Sequence, residues 1–345
     1  PLANVAAAAS CRRAFSTGPE KTILQILEES KVDKAEVLMR DRSTGEFRDG
    51  LGRKIDMDAR IAAENKSLRA RGMQKSDPDG AMALYHEALK DHAHLERHSL
   101  VVETYHDLGN LCESRQDCAA AKEYYLKAIT TILQELVYDL GEPYDLAATY
   151  ESLGYMCFNL DQWDEAEDYF KKFIKQQADN RYGVSDCVID PTADLPKDLH
   201  DAILAEGRTN RNYRFTSIIQ TLARVAVKNG DYASAKGYWL KRISLEYELC
   251  ADDLEGVSLN LASLHYGFGK TAMELGHPAD ALEHLEKTLE YEISKHGPDN
   301  VDVAITHNTL GDAAKAMGDF ATAQGHYERT LAIREVDAGV GTGVH

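Results

Sequence analysis

Large and small residues recur along the chain in a fixed relation to one another. Ala81, Ala121, Ala166, Ala235, Ala281 and Ala323 form one column. Four residues after each stand Tyr85, Tyr125, Phe170, Trp239, Leu285 and Tyr327, all large; thirteen before each stand Leu68, Leu108, Leu153, Leu222, Phe268 and Leu310, large again. The residue after each of these is Arg69, Gly109, Gly154, Ala223, Gly269 or Gly311, small in five of six cases. A pattern of this length predicts helical hairpins. The small residue on the first helix admits the second helix, the column alanine fits the close crossing, and the large residue fills the space beside it.

Turn chemistry agrees with that reading. Gly230, Gly276 and Gly318 fall between the two helices of their hairpins, where a left-handed residue ends a helix. Asp231 and Asp319 follow directly and are placed to accept from the free N–H groups of the second helix. The column alanines are spaced by 40, 45, 69, 46 and 42 residues. The gap of 69 marks an insertion at 178–213, within which Pro196 to Glu206, ended by Gly207, reads as a short helix. Arg208, Arg211, Tyr213 and Arg214 then form a basic cluster in an acidic chain, read either as a contact surface or as a solvated loop.

With these columns in place, the chain resembles the tetratricopeptide repeat (TPR), whose minimal period is about 34 residues. His296 to Ala304, followed by Asn308-Thr309-Leu310-Gly311, resembles the longer repeats of kinesin light chains, and Leu140 to Asp145 is a related linker. The resemblance implies an all-α fold, a right-handed superhelix (α-solenoid) of about six hairpins over 61–338, with repeats near 61–95, 102–136, 147–180, 216–250, 262–296 and 304–338. A segment at 20–60 is expected as an N-terminal arm, and 339–345 as a tail.

In such a stack the first helices line a concave wall. The exposed stripe is expected to carry His106, Asn110 and Glu113, then Glu151, Tyr155 and Phe158, then Gln220, Arg224 and Val227, then Tyr266, Lys270 and Met273, then Asn308, Asp312 and Lys315. Its mixture of aromatics, amides and both charges suits a peptide groove. The chaperone-tail clamp known from TPR co-chaperones is not expected: Asn110 matches one member, but His106 stands where a lysine is required and Glu151 has the wrong sign.

Charge divides the chain. The formal balance is −18 over 345 residues, yet residues 1–75 carry +4 and the rest −22. Such acidity disfavours phosphate-mediated nucleic-acid binding and suits basic protein surface. With 43% apolar residues the chain has enough to build a core. No apolar run approaches the roughly 18 residues of a membrane span, so any membrane association would be peripheral. The first 19 residues hold Arg12 and Arg13 and no acid, a transit-like composition. Arg13, Phe15 and Ser16 resemble a mitochondrial processing site, with cleavage expected between Phe15 and Ser16.

Candidate chemistry is sparse. Six cysteines include no Cys-x-x-Cys, so no zinc framework follows. Cys112 and Cys157 stand at equivalent places and are expected to pack. His94 and His98, four residues apart with His92 nearby, put two imidazoles on one helix face and read as a solvated face without a third metal ligand. Neither a phosphate-binding loop nor a nucleophile elbow is present. The sequence therefore predicts a non-enzymatic scaffold without cofactor, an accessory subunit or assembly factor of a mitochondrial complex of the respiratory or ATP synthase type. The alternative is a cytosolic adaptor resembling kinesin light chains.

Overall fold

The computed structural model of the chain describes residues 39–40, 46–48, 54–95, 98–136, 146–183, 189–191, 193–210, 214–249 and 254–341. It divides into two compact units, 1–160 and 161–345.

In the first unit a small antiparallel ladder pairs β1 (Met39–Arg40) with β2 (Phe47–Arg48), Met39 opposite Arg48 and Arg40 opposite Phe47. The sequence pattern of the arm had not indicated this ladder. Five helices follow: α1 (Met57–Met73), α2 (Pro78–His94), α3 (His98–Ser114), α4 (Cys118–Thr131), which loosens into a wider turn at Ile132–Leu136, and α5 (Ala147–Asn159). Each packs on the next. Asp56, Asp77 and Asp117 cap α1, α2 and α4 by accepting from the backbone N–H three residues on. Ala81, Tyr85, Leu108, Leu111 and Ala70 form one core cluster, and Val102, Ala128 and Ile132 another.

The first hairpin departs from the expected register. Leu68 is 60% exposed, and the buried positions of α1 are Arg60, Ala63 and Ala70. Four residues link α1 to α2 where three link α3 to α4. One extra residue turns a helix by about 100°, which is enough to move the expected column off the core face.

The second unit contains α6 (Trp163–Tyr182), α7 (Lys197–Asn210), α8 (Arg214–Lys228), α9 (Tyr232–Leu249), α10 (Leu254–Glu274), α11 (Pro278–His296), α12 (Val301–Ala316) and α13 (Phe320–Gly341). Helices α8/α9, α10/α11 and α12/α13 pair as hairpins, with α9 on α10 and α11 on α12 between them. Gly230, Gly276 and Gly318 adopt the left-handed conformation, at φ 71°, 78° and 83°. Asp231 and Asp319 accept from Ser234 N and Thr322 N at 3.1 Å each.

The inserted segment is a packed element rather than a solvated loop. Its helix α7 runs through Gly207 to Asn210 instead of ending there. Ile189, Leu199, Ile203 and Leu204 are buried, and α7 packs on α6 and α9. Gly237 makes the docking possible, because a β-carbon there would lie 2.0 Å from the Pro191 carbonyl oxygen. Lys241 Nζ donates to the same oxygen at 2.9 Å.

All six column alanines are buried, none more than 3% exposed. Opposite the small residues the large side chains close in as the pattern requires. Tyr125 meets Gly109, Leu285 meets Gly269, and Tyr327 meets Gly311. Among the described residues no helix is long and apolar enough to cross a membrane.

Candidate functional site: the face of the first helices

The expected stripe is partly consumed by packing. In the first unit His106 receives or donates a hydrogen bond at 2.9 Å with Thr149 Oγ1, bridging α3 and α5, and its ring lies edge-on to Tyr125. Burial pushes its pKa down. Asn110 Oδ1 and Glu113 Oε2 both accept from the Tyr125 hydroxyl, at 2.8 and 3.1 Å. Burial, then the charge of Glu113, drives that phenol well above its ordinary range. Glu151, Tyr155 and Phe158 lie half-buried on α5.

In the second unit Gln220 is half-buried and Arg224 exposed, but Val227 is only 8% exposed. Val227 belongs to the core of α8 and leaves the stripe, as the sequence pattern alone could not show. The residues of α10 and α12 converge. Tyr266, Lys270 and Met273 face Ile305, Asn308, Thr309 and Asp312 across a cavity of about 370 Å³, with Arg334 of α13 contributing a second cation. Tyr266 Oη lies 3.4 Å from Thr309 Oγ1. Asp312 Oδ1 accepts from Tyr327 at 2.8 Å, repeating the Asn110–Tyr125 contact at the equivalent positions. Lys315 is exposed.

A second cavity of about 280 Å³ shares Tyr266 and Ile305 with the first. It adds Ala262 and Ser263 from α10, Glu292 and His296 from the end of α11, and Asp302 and Thr306 from the start of α12. Sequence reasoning missed Arg334, Glu292, His296 and Asp302, because it considered only first helices at one phase. The signal available was the loop 297–300, which brings the end of α11 beside the start of α12.

The inserted segment builds its own hollow against α9, about 550 Å³, lined by Asp194, Lys197, His200, Leu240, Lys241 and Glu248 among others. Burial lowers the Lys241 pKa, with Asp194 and Asp190 acting against it. Arg214 sits over the Phe173 ring at 5.7 Å. Arg211 and Tyr213 lie outside the described residues, as does the side chain of Arg208; so do Arg13, Phe15 and Ser16.

His94 and His98 do not share one helix face. His92 is buried, with Nε2 3.1 Å from Ser67 Oγ, and the end of α2 at His94 separates it from His98 on α3. Cys112 and Cys157 are buried, and burial raises the Cys112 thiol. Among the described residues no three His, Cys, Asp or Glu side chains are grouped to hold a metal ion.

Sequence profiles of the tetratricopeptide repeat match residues 102–132 and 259–335. The second stretch contains both cavities between α10 and α12. No curated protein sequence matches the chain. Solved structures similar to it include BtubC (BKLC) from P. vanneervenii, at 19% identity over 84% of this chain and 94% of that one, TM-score 0.48. The nearly identical TPR-like repeats of a kinesin light chain type protein from Podosopora anserina match at 15% identity over 69% and 96%, TM-score 0.45. A MamA protein matches at 16% over 71% and 97%, TM-score 0.41. Residues 102–132 and 259–335 carry tetratricopeptide repeats, and such repeats support a protein-interaction scaffold.

Proposed function

We propose that the chain is a non-enzymatic scaffold that grips an extended segment of a partner protein along α10 and α12, as an accessory subunit or assembly factor of a large mitochondrial complex. The observation that carries the reading is the pair of adjoining cavities between these helices. They offer a half-buried aromatic at Tyr266, backbone-competent Asn308, and charges of both signs at Lys270, Arg334 and Asp312. Amides hold peptide backbone and aromatics anchor side chains. The charge of −22 beyond residue 75 favours a partner with basic surface, and the Arg13-Ala14-Phe15-Ser16 stretch supports import.

The test is affinity purification of the tagged chain from mitochondrial and cytosolic fractions, beside a Lys270→Glu, Asn308→Ala variant. A subunit of an inner-membrane or matrix complex recovered with the parent chain and lost with the variant supports the proposal. Recovery of a cytoskeletal motor instead would favour the adaptor reading, for which the likeness of residues 296–311 to kinesin light chain repeats speaks.

A further inference from the structure

Lysines of the second unit differ in what holds their ammonium groups. Lys171, Lys172, Lys236 and Lys287 each contact a carboxylate at 2.6–2.8 Å, and a carboxylate that close keeps an amine protonated. Lys241 is held by a neutral group instead. Its Nζ donates to the Pro191 carbonyl oxygen at 2.9 Å, and among the described residues it forms no ion pair. An ammonium has three N–H donors, of which Pro191 takes one. A neutral amine can still donate to that oxygen, so the contact survives loss of the proton and leaves the nitrogen lone pair unused.

The surroundings of Nζ favour that loss. Asp190 and Asp194 of the inserted segment act on Lys241 through charge alone, and burial outweighs them, so its pKa lies below the ordinary lysine value. Lys197 and His200 of α7 and Glu248 of α9 complete the titratable groups of the hollow. Glu248 is already engaged by His200 Nε2 at 3.2 Å. Lysines desolvated in this way are the ones that act as nucleophiles.

Lys241 also opens onto space. It lines the hollow of about 550 Å³ between the inserted segment and α9, where Leu195, Leu240 and Leu245 supply an apolar wall. Lys197 stands on the same rim but is exposed, so the two amines meet the same dissolved reagents under different solvation.

We propose that Lys241 is a site of acyl transfer from short-chain acyl thioesters, with the hollow beside it receiving the acyl group. The amine nitrogen attacks the thioester carbonyl carbon, a C–N bond forms, and the C–S bond breaks. The thiolate leaves with its electron pair, and the amine proton passes to water. The product is an amide, which removes one positive charge from between the inserted segment and α9. This chemistry stands apart from the scaffold reading and does not depend on a partner.

The probe is S-acetyl-N-acetylcysteamine, incubated with the full chain between about pH 7 and 10, with acetyl occupancy at each lysine followed by peptide mass spectrometry. Near neutral pH, Lys241 is expected to react about threefold or more faster than Lys197, Lys270 and Lys287. Its rate should also level off at lower pH than theirs, a readout that mere exposure does not move. Leu240 lines the hollow and is 44% exposed, so Leu240→Trp occupies the space without disturbing a core. That variant should slow acetylation of Lys241 by a similar factor and leave Lys270 unchanged. Equal rates at Lys241 and Lys197, a shared pH midpoint, or an unaltered Lys241 rate in Leu240→Trp would each overturn the proposal.

Discussion

The ring of Tyr125 occupies the space that a β-carbon on Gly109 would need, its Cε1 lying 2.6 Å from that position. Tyr327 stands in the same relation to Gly311, also at 2.6 Å. Each ring therefore lies flat on bare backbone, and its hydroxyl passes over the first helix to reach the next residue, Asn110 or Asp312, at 2.8 Å. The aromatic closes the hairpin and also fixes a polar side chain on the face proposed for binding.

Gly109→Ala and Gly311→Ala should consequently destabilise the chain by about 1–3 kcal/mol each, as overpacking does. Helix propensity alone predicts the reverse, since alanine is favoured over glycine by about 1 kcal/mol inside a helix. The sign of the change in denaturant midpoint decides between the two. A stabilised Gly109→Ala variant would show that the tyrosine ring yields without cost.

Outside the first hairpin, where a longer linker moves Leu68 off the core, the repeat register was legible in sequence where one side chain meets another within its own hairpin, because the offset between column alanine and aromatic fixes that contact. What crosses between hairpins was not. Val227 shares the phase of the exposed stripe yet is buried, and Glu292 and Arg334 reach the face from second helices. Those placements depend on the angle and spacing of neighbouring helices, which a periodic pattern does not encode. The docking of the inserted segment was hidden for the same reason, since its key residue is Gly237, a helix-interior glycine with no turn signal beside it.

Ala281 is fully buried at the crossing of α10 and α11, where its carbonyl oxygen also approaches Gly269. Ala281→Leu adds three carbons to a filled crossing and should lower stability by about 1–3 kcal/mol. Thermal melting followed by circular dichroism reads this directly, and an unchanged midpoint would place the column alanine in the wrong register.

Gly237→Ala places a methyl group against the Pro191 carbonyl, a backbone atom with little freedom to move away. The inserted segment should lift from α9 while the hairpins persist. Amide hydrogen exchange should then accelerate in α7, around Leu199 to Leu204, with α10–α13 unchanged. Uniform exchange across the second unit would mean that the segment is integral to its core.

Arg242 Nη1 bonds Glu246 Oε2 at 2.7 Å with both side chains buried, and Asn260 Nδ2 donates to the other Glu246 oxygen at 3.0 Å. Removing one member of a buried pair leaves an uncompensated charge. Arg242→Met should therefore cost about 3–5 kcal/mol, whereas the double change with Glu246→Leu should cost much less and can approach neutrality. Equal losses in the single and double variants, measured by chemical denaturation, would show that the pair contributes through its volume alone.

Two histidine pairs occupy the same place in successive hairpins. His265 Nδ1 lies 2.7 Å from His284 Nδ1 between α10 and α11, and His307 Nδ1 lies 3.0 Å from His326 Nδ1 between α12 and α13. Tyr105 and Tyr124 stack at the equivalent positions of α3 and α4. Two Nδ1 atoms this close share one proton between them, so each pair is held together when neutral. Around the first pair, Tyr247 of α9 approaches His265 Nε2 at 3.2 Å and donates to or accepts from Tyr291 of α11, while Lys287, Glu283, Asp280 and Lys236 supply the nearby charges. Burial lowers both histidines to about 4, with the positive charge of Lys287 acting in the same direction. The unfolded chain, with histidine near 6.5, binds protons that the folded chain refuses, so stability rises with pH across that interval and falls as pH drops from about 6.5 toward 4. The carboxylates of Asp280 and Glu283 have lowered pKa values and lose their contribution only further down. A fall in melting temperature between about pH 6.5 and 5 therefore reports the histidines. His265→Tyr with His284→Tyr, which installs the pair found between α3 and α4, should make the profile shallower over that window, leaving the part contributed by His106, His307 and His326, whose pKa values burial also lowers. Parallel profiles for the parent and the variant would show that the titrating groups lie elsewhere.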